Sequence, residues 1–138
     1  MNKLSNIGLI GLAVMGENLA LNMERNGFQV SVYNRAEGVE AEVVSRFMSR
    51  RGAGKRFLGF TDLKDFVASI ERPRKIMMMI RAGKPVDLVI EALLPYLEAG
   101  DIVIDGGNSN WEDSERREAS LREHGVFFVG CGISGGEE

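Results

Sequence analysis

The chain has 138 residues, 44% of them apolar and 27% charged, enough for one domain with its own core and too apolar for a disordered segment. Its 17 basic and 20 acidic side chains leave a formal net charge of −3, which argues against a nucleic-acid footprint and leaves room only for a local basic pocket. The single cysteine, Cys131, can form no internal disulfide and no paired-thiol metal site, so neither is expected.

No apolar run approaches the ~18–20 residues that cross a bilayer. The N-terminal run IGLIGLAVMG is followed by helical sequence and not by a small-residue cleavage site. A cytoplasmic protein with no membrane and no nucleic-acid partner is therefore expected.

In chain order, SNIGLI (5–10) reads as a first strand that ends at Gly11. Met15, Leu19 and Met23 recur every four residues, which predicts a helix over about 14–26 closed by Gly27. FQVSVY (28–33) alternates and is β-branched, a second strand. A charged helix is expected over 38–50 and a third strand at KRFLGF (55–60), with Thr61 capping a short helix that ends near Ile70. KIMMMI (75–80) is an almost unbroken apolar run, the pattern of a strand buried on both faces, and Met77, Met78 and Met79 are assigned to the core.

Pro85 suits the first turn of a helix carrying Val86, Val89, Ile90, Leu93 and Leu97, and Pro95 should kink or end it early. DIVID (101–105) is the fifth strand. Ser109 and Glu112 match a capping box opening a polar helix to His124, and VFFVG (126–130) is the last strand. This alternation predicts a Rossmann-type, doubly wound α/β fold. Its open, mainly parallel sheet should run in the order 3-2-1-4-5-6, as three α/β/α layers and one dinucleotide-binding domain over residues 1–138.

Gly11-Leu12-Ala13-Val14-Met15-Gly16 joins the first strand to the first helix as a G-x-A-x-x-G variant of the pyrophosphate loop. Gly11 permits the sharp turn, Gly16 close packing, and the helix start presents amides and a positive dipole end to an anion. Ala13 in place of glycine loosens the approach. The second strand then ends in Asn34 and Arg35, where an NAD-binding sheet usually keeps an acid for the ribose 2′-OH. A carboxylate-free corner with an amide and a guanidinium favours NADP over NAD, because a charge-assisted hydrogen bond to phosphate is worth about 1.5–3 kcal/mol.

Two further loops, VIDGGNSNWEDSERR (103–117) and GCGISGG (130–136), start at the carboxyl ends of the fifth and sixth strands, where ligands of open sheets collect. Asn108 offers a bifunctional amide, Ser134 a hydroxyl, and Gly135 and Gly136 bare amides. Asp105 is read as a loop-orienting acid and His124 as a helix-end residue without a catalytic role. Cys131 and Trp111 are read as packing residues, and Arg116 and Arg117 as charges on the helix surface.

GLAVMG, YNR, DGGNS, RR and GISGGEE, in this order and spacing, resemble the coenzyme domain of the 6-phosphogluconate dehydrogenases over the whole chain. The resemblance implies oxidative decarboxylation of 6-phosphogluconate to ribulose 5-phosphate, with hydride passing from C3 to the nicotinamide, loss of CO2 and reprotonation of the enediol. It implies that Gly11 to Gly16 hold the pyrophosphate, and that Asn34, Arg35 and Ala36 surround the 2′-phosphate. Ile80, Arg81 and Ala82 would line the cofactor, Asn108 would touch cofactor and substrate, and Ser134, Gly135 and Gly136 would bind the sugar acid.

Ala36 replaces the family's usual Thr and removes a hydroxyl donor to the phosphate, so NAD stands as the alternative cofactor; Arg81 replaces its usual Lys, keeping the charge but not the shape. The family's catalytic Lys and Glu and its helical domain fall outside this sequence, so no catalytic residue is assigned in the chain. A homodimer is expected of the full-length protein. The competing readings are another hydroxyacid dehydrogenase, a non-catalytic dinucleotide-sensing module and a methyltransferase. DGGNS speaks against the first, and the missing acid after the second strand speaks against the other two.

Overall fold

The computed structural model describes residues 3–36, 38–107 and 109–131. Six strands of four residues each form one sheet: β1 (Ile7–Ile10), β2 (Val30–Tyr33), β3 (Phe57–Phe60), β4 (Lys75–Met78), β5 (Ile102–Asp105) and β6 (Phe127–Gly130). Their spatial order is β3-β2-β1-β4-β5-β6, and every neighbouring pair is parallel. The expected strand order is thus observed. The sheet is wholly parallel, because each connection is a helical crossover.

The crossovers are α1 (Val14–Arg25), α2 (Val43–Ser49), α3 (Leu63–Ala68), α4 (Lys84–Leu93) and α5 (Trp111–Arg122). Register puts Leu9 between Val32 and Met77, and this face packs on Ala20 and Leu21 of α1 and on Val44 and Phe47 of α2. The opposite face carries Ile10, Ile76, Met78 and Val103 and packs on Phe66 of α3, Ile90 of α4 and Leu121 of α5. Strands buried on both faces explain the unbroken apolar run of β4: Ile76, Met77 and Met78 are all buried.

Several boundaries differ from the sequence reading. The expected helix over 38–50 is a 3-10 turn at Gly38–Glu40, then a two-residue turn, then α2. Asp62, not Thr61, caps α3, its carboxylate accepting from the Asp65 amide at 3.2 Å. Asn110, not Ser109, caps α5 by accepting from the Asp113 amide at 2.8 Å. In both cases two good capping side chains are adjacent in sequence, and the one not used has no local disadvantage to betray it. Pro95 acts as expected: α4 stops at Leu93 and a 3-10 turn, Leu94–Tyr96, follows.

Candidate functional site

The parallel ladder continues one residue past the strands and gathers four loops at one edge. The Gly11 amide donates to Tyr33 O at 3.0 Å, Met79 to Ile10 O at 2.8 Å, Gly106 to Met78 O at 2.9 Å and Cys131 to Asp105 O at 2.8 Å. This is the carboxyl edge of the sheet, with the strand order reversing between β1 and β4, the crevice where open α/β sheets bind ligands.

Gly11 has φ of +103°, and a Cβ there would meet the Met79 carbonyl oxygen as well as lie 3.1 Å from Ile80 Cγ2. A Cβ on Gly16 would strike the Gly11 carbonyl oxygen, so helix and turn interlock only without side chains. Ala13 occupies the N-cap position of α1 and supplies no side-chain cap. The first helical bond runs from the Glu17 amide to Ala13 O at 2.8 Å. Among the described hydrogen bonds, none engages the amides of Val14, Met15 or Gly16, and Val14 is 73% exposed. A 12-residue helix therefore opens on uncapped donors, with its positive dipole end bare. These features fit a pyrophosphate: a sharp strand-to-helix turn that only glycines allow and orphan amides at the helix start.

Leu12 behaves differently from its neighbours. Its side chain is core, and its amide is taken by Asn34 Oδ1 at 2.9 Å. Asn34 is itself buried, and its Nδ2 donates to Glu40 Oε1 at 2.7 Å and to the Arg35 carbonyl at 3.3 Å. The corner after β2 is therefore not carboxylate-free, which corrects the sequence reading. Glu40 also accepts from Arg35 Nε at 3.0 Å and pairs with Arg35 Nη2 at 2.9 Å. The hydrogen bond from Arg35, then that from Asn34, hold the Glu40 carboxyl below its ordinary value, so it is ionised at neutral pH. The 3-10 turn carries Glu40 back to this corner from six residues beyond Asn34, out of reach of any strand-end pattern. Ala36, beside this pair, is exposed.

On the other side of the switch point, Asp105 ends β5 with 1% exposure. It orients its loop as expected, accepting from the Gly107 amide at 3.0 Å and from the Ser109 hydroxyl at 2.5 Å. Ser109 is thus drawn away from the capping role. A Cβ on Gly106 would hit the Met79 sulfur, and one on Gly107 would lie 3.0 Å from the Ile80 carbonyl oxygen. The Met79–Ile80 backbone therefore lies against Gly11 on one side and Gly107 on the other, uniting three of the four loops. Ile80 is half-buried and Arg81 exposed in the loop leading to α4, and Ala82 follows, half-buried.

Arg117 overturns its reading as a surface charge, being only 2% exposed. It donates to Asp87 Oδ1 at 2.8 Å, to Ser109 Oγ at 3.1 Å and to the Gly83 carbonyl at 3.1 Å, with Asp105 Oδ2 3.9 Å away. One guanidinium thereby ties the β4–α4 loop to the β5–α5 loop. Its donation, ahead of that from Arg116, holds the Asp87 carboxyl below its ordinary value despite partial burial. The missed signal was positional. Arg117 precedes Leu121 by four residues and shares its sheet-facing stripe on α5. Arg116 is exposed, as expected.

Trp111 and Cys131 are not packing residues either: Trp111 is 68% exposed and Cys131 is exposed. Trp111 is the first residue of α5 and Cys131 follows the edge strand β6, so neither has a layer above it. Both line a cleft of about 440 Å³ with Asp105, Gly107 and Ser109. A second cleft of about 490 Å³ lies away from this edge, along β3, and is lined mainly by apolar atoms. Asn108, Ser134, Gly135 and Gly136 lie outside the described residues. The described residues contain no cluster of side chains able to hold a metal ion and no helix long and apolar enough to cross a membrane.

A six-stranded parallel sheet, a glycine-turned helix start and loops gathered at the switch point define a Rossmann domain for a dinucleotide cofactor. Residues 6–138 match the family model described as the NAD binding domain of 6-phosphogluconate dehydrogenase, and the chain belongs to that family.

Among curated relatives, a decarboxylating 6-phosphogluconate dehydrogenase of Chlamydia pneumoniae is 59% identical over 134 residues, 97% of this chain and 27% of the relative. That of Synechococcus elongatus is 56% identical over 135 residues, 98% of this chain and 28% of the relative. The chain thus spans little more than a quarter of the length of the relatives it matches. A solved Plasmodium falciparum 6-phosphogluconate dehydrogenase, described apo, with its cofactor NADP+ and with its substrate 6-phosphogluconate, superposes with a TM-score of 0.79. It is 40% identical, over 89% of this chain and 26% of that one. A Mycobacterium tuberculosis 3-hydroxyisobutyrate dehydrogenase shares the fold, with a TM-score of 0.73 at 17% identity over 92% of this chain and 40% of that one.

Proposed function

We propose that residues 1–138 are the coenzyme domain of an NADP-linked, decarboxylating 6-phosphogluconate dehydrogenase. The observation that carries this is the junction of uncapped α1 amides with the Arg35 corner through Asn34, which grips the loop by the Leu12 amide and the corner by Glu40. On this reading Gly11 to Gly16 seat the pyrophosphate, by shape at Gly11 and Gly16 and by amides at Val14 and Met15. Arg35 supplies a guanidinium that is 63% exposed to the adenosine 2′-phosphate, beside Ala36. Asn34 acts mainly by fixing both partners. Ile80, Arg81 and Ala82 line the nicotinamide side, Asn108 lies between cofactor and sugar acid, and Ser134, Gly135 and Gly136 take the sugar acid.

The dinucleotide, when bound, supplies the hydride acceptor. This chain's part in the reaction is to bind and orient. Asp105 and Arg117 hold the loop after β5 against the β4–α4 loop, which would keep the groups that line the cofactor and the sugar acid at a constant separation. The proton-transfer groups that act on 6-phosphogluconate come from sequence outside residues 1–138, and the full-length protein works in the cytoplasm as a homodimer.

The test is a direct assay of the full-length protein. With 6-phosphogluconate and NADP it should form NADPH and CO2 in equal amounts. Turnover of 3-hydroxyisobutyrate instead would reassign it to another branch of the hydroxyacid dehydrogenases.

A further inference from the structure

We propose that Glu40 is a specificity-determining residue that supplies, from outside the second strand, the acid missing at its end, and so limits the preference for NADP over NAD. The assignment rests on reading the Asn34–Arg35 corner as the adenosine end of a dinucleotide site. Three contacts from two adjacent residues at the end of β2 place the carboxylate there: Asn34 Nδ2 at 2.7 Å, Arg35 Nε at 3.0 Å and Arg35 Nη2 at 2.9 Å. Asn34 is in turn buried and pinned to Leu12 of the glycine loop, so the position of Glu40 is referred to the pyrophosphate cradle and not to bulk solvent. Its side chain is still about one-third exposed, so a ligand can reach it.

Two consequences follow for a dinucleotide. A ribose 2′-OH can donate to a carboxylate held at this corner, as it does to a strand-end acid in NAD-binding sheets. A 2′-phosphate carries roughly −1.5 to −2 charges and must face the same carboxylate while competing for the same guanidinium. Arg35 and Glu40 therefore pull in opposite directions, and the preference is their difference. An acid at the second strand's end is read directly from sequence, whereas this one is visible only once the 3-10 turn at Gly38–Glu40 is seen to fold back.

The experiment compares the full-length wild type with Glu40→Gln by equilibrium titration of NADP and NAD. Glutamine keeps an oxygen for Asn34 and removes the charge. We expect the NADP/NAD affinity ratio to rise about tenfold, the size of ~1.4 kcal/mol, through tighter NADP and unchanged or weaker NAD. We also expect the gain to shrink as salt is raised, because the pair is exposed. Glu40→Ala, checked for an unchanged melting temperature, should raise the ratio in the same direction. A ratio that stays within about twofold in both variants, or a change that ignores salt, would overturn the assignment. A wild type that binds neither dinucleotide would overturn the reading of the corner itself, and this assignment with it.

Discussion

Two acid–arginine constellations flank the switch point of the sheet, and they are built in opposite ways. Glu40 and Arg35 sit in the open, with side-chain exposures of 34% and 63%. Asp105 and Arg117 are 1% and 2% exposed, and their remaining polar atoms are taken up by Ser109, Gly107, Gly83 and Asp87. An exposed pair contributes about 0–1 kcal/mol and can exchange one partner for a ligand. A buried network cannot lose a member without stranding a charge, at about 3–5 kcal/mol. The first arrangement suits recognition of a ligand that comes and goes, and the second suits holding two loops at a constant separation.

The largest effect that would sharpen this contrast is at Arg117. Arg117→Met should lower the unfolding free energy by about 3–5 kcal/mol in urea titrations, because Asp105 and Asp87 lose their buried partner. A loss as small as that of Arg35→Met would erase the distinction between the two constellations. At Gly11, replacement by Ala forces a side chain into φ of +103° and against the Met79 carbonyl. A cost of about 1–3 kcal/mol and loss of dinucleotide binding are expected, read by thermal melting and by titration. Asn34→Ala leaves the buried Leu12 amide without its acceptor, for about 1–3 kcal/mol, and frees Glu40 and Arg35 from the glycine loop.

The smallest effect is the acid response of Asp87. Its carboxyl is held low, chiefly by Arg117, so the stability it contributes is fully present above its ordinary value of 3.8 and is lost as pH falls through the depressed one. Urea midpoints measured from about pH 5 down to pH 2 should therefore fall less steeply in Arg117→Met than in the wild type. Parallel curves would mean that the pair does not bias the Asp87 proton.

The fold was legible because its signals are local and repeated. The four-residue period of Met15, Leu19 and Met23, the apolar run of β4 and the glycine punctuation each mark an element on their own, and crossover handedness leaves few sheet orders to choose among. The glycine loop was legible for the same reason. The two charge constellations were not, because their members lie far apart in sequence or on turns whose path no period encodes. Arg117 meets Asp87 across 30 positions, and Glu40 returns to Asn34 through a 3-10 turn embedded in what reads as continuous helix. Trp111 and Cys131 show the converse: an apolar residue type predicts burial only where a layer covers it, and Trp111 at the start of α5 and Cys131 past the end of the edge strand β6 are both exposed.

The guanidinium at the open corner decides the matter most directly. Equilibrium titration of NADP and NAD against the full-length wild type and Arg35→Ala should show NADP weakened by at least about tenfold, the scale of a charge-assisted hydrogen bond. NAD should stay within about twofold. Equal weakening of both, or no weakening of NADP, would contradict the placement of the adenosine 2′ position beside Arg35.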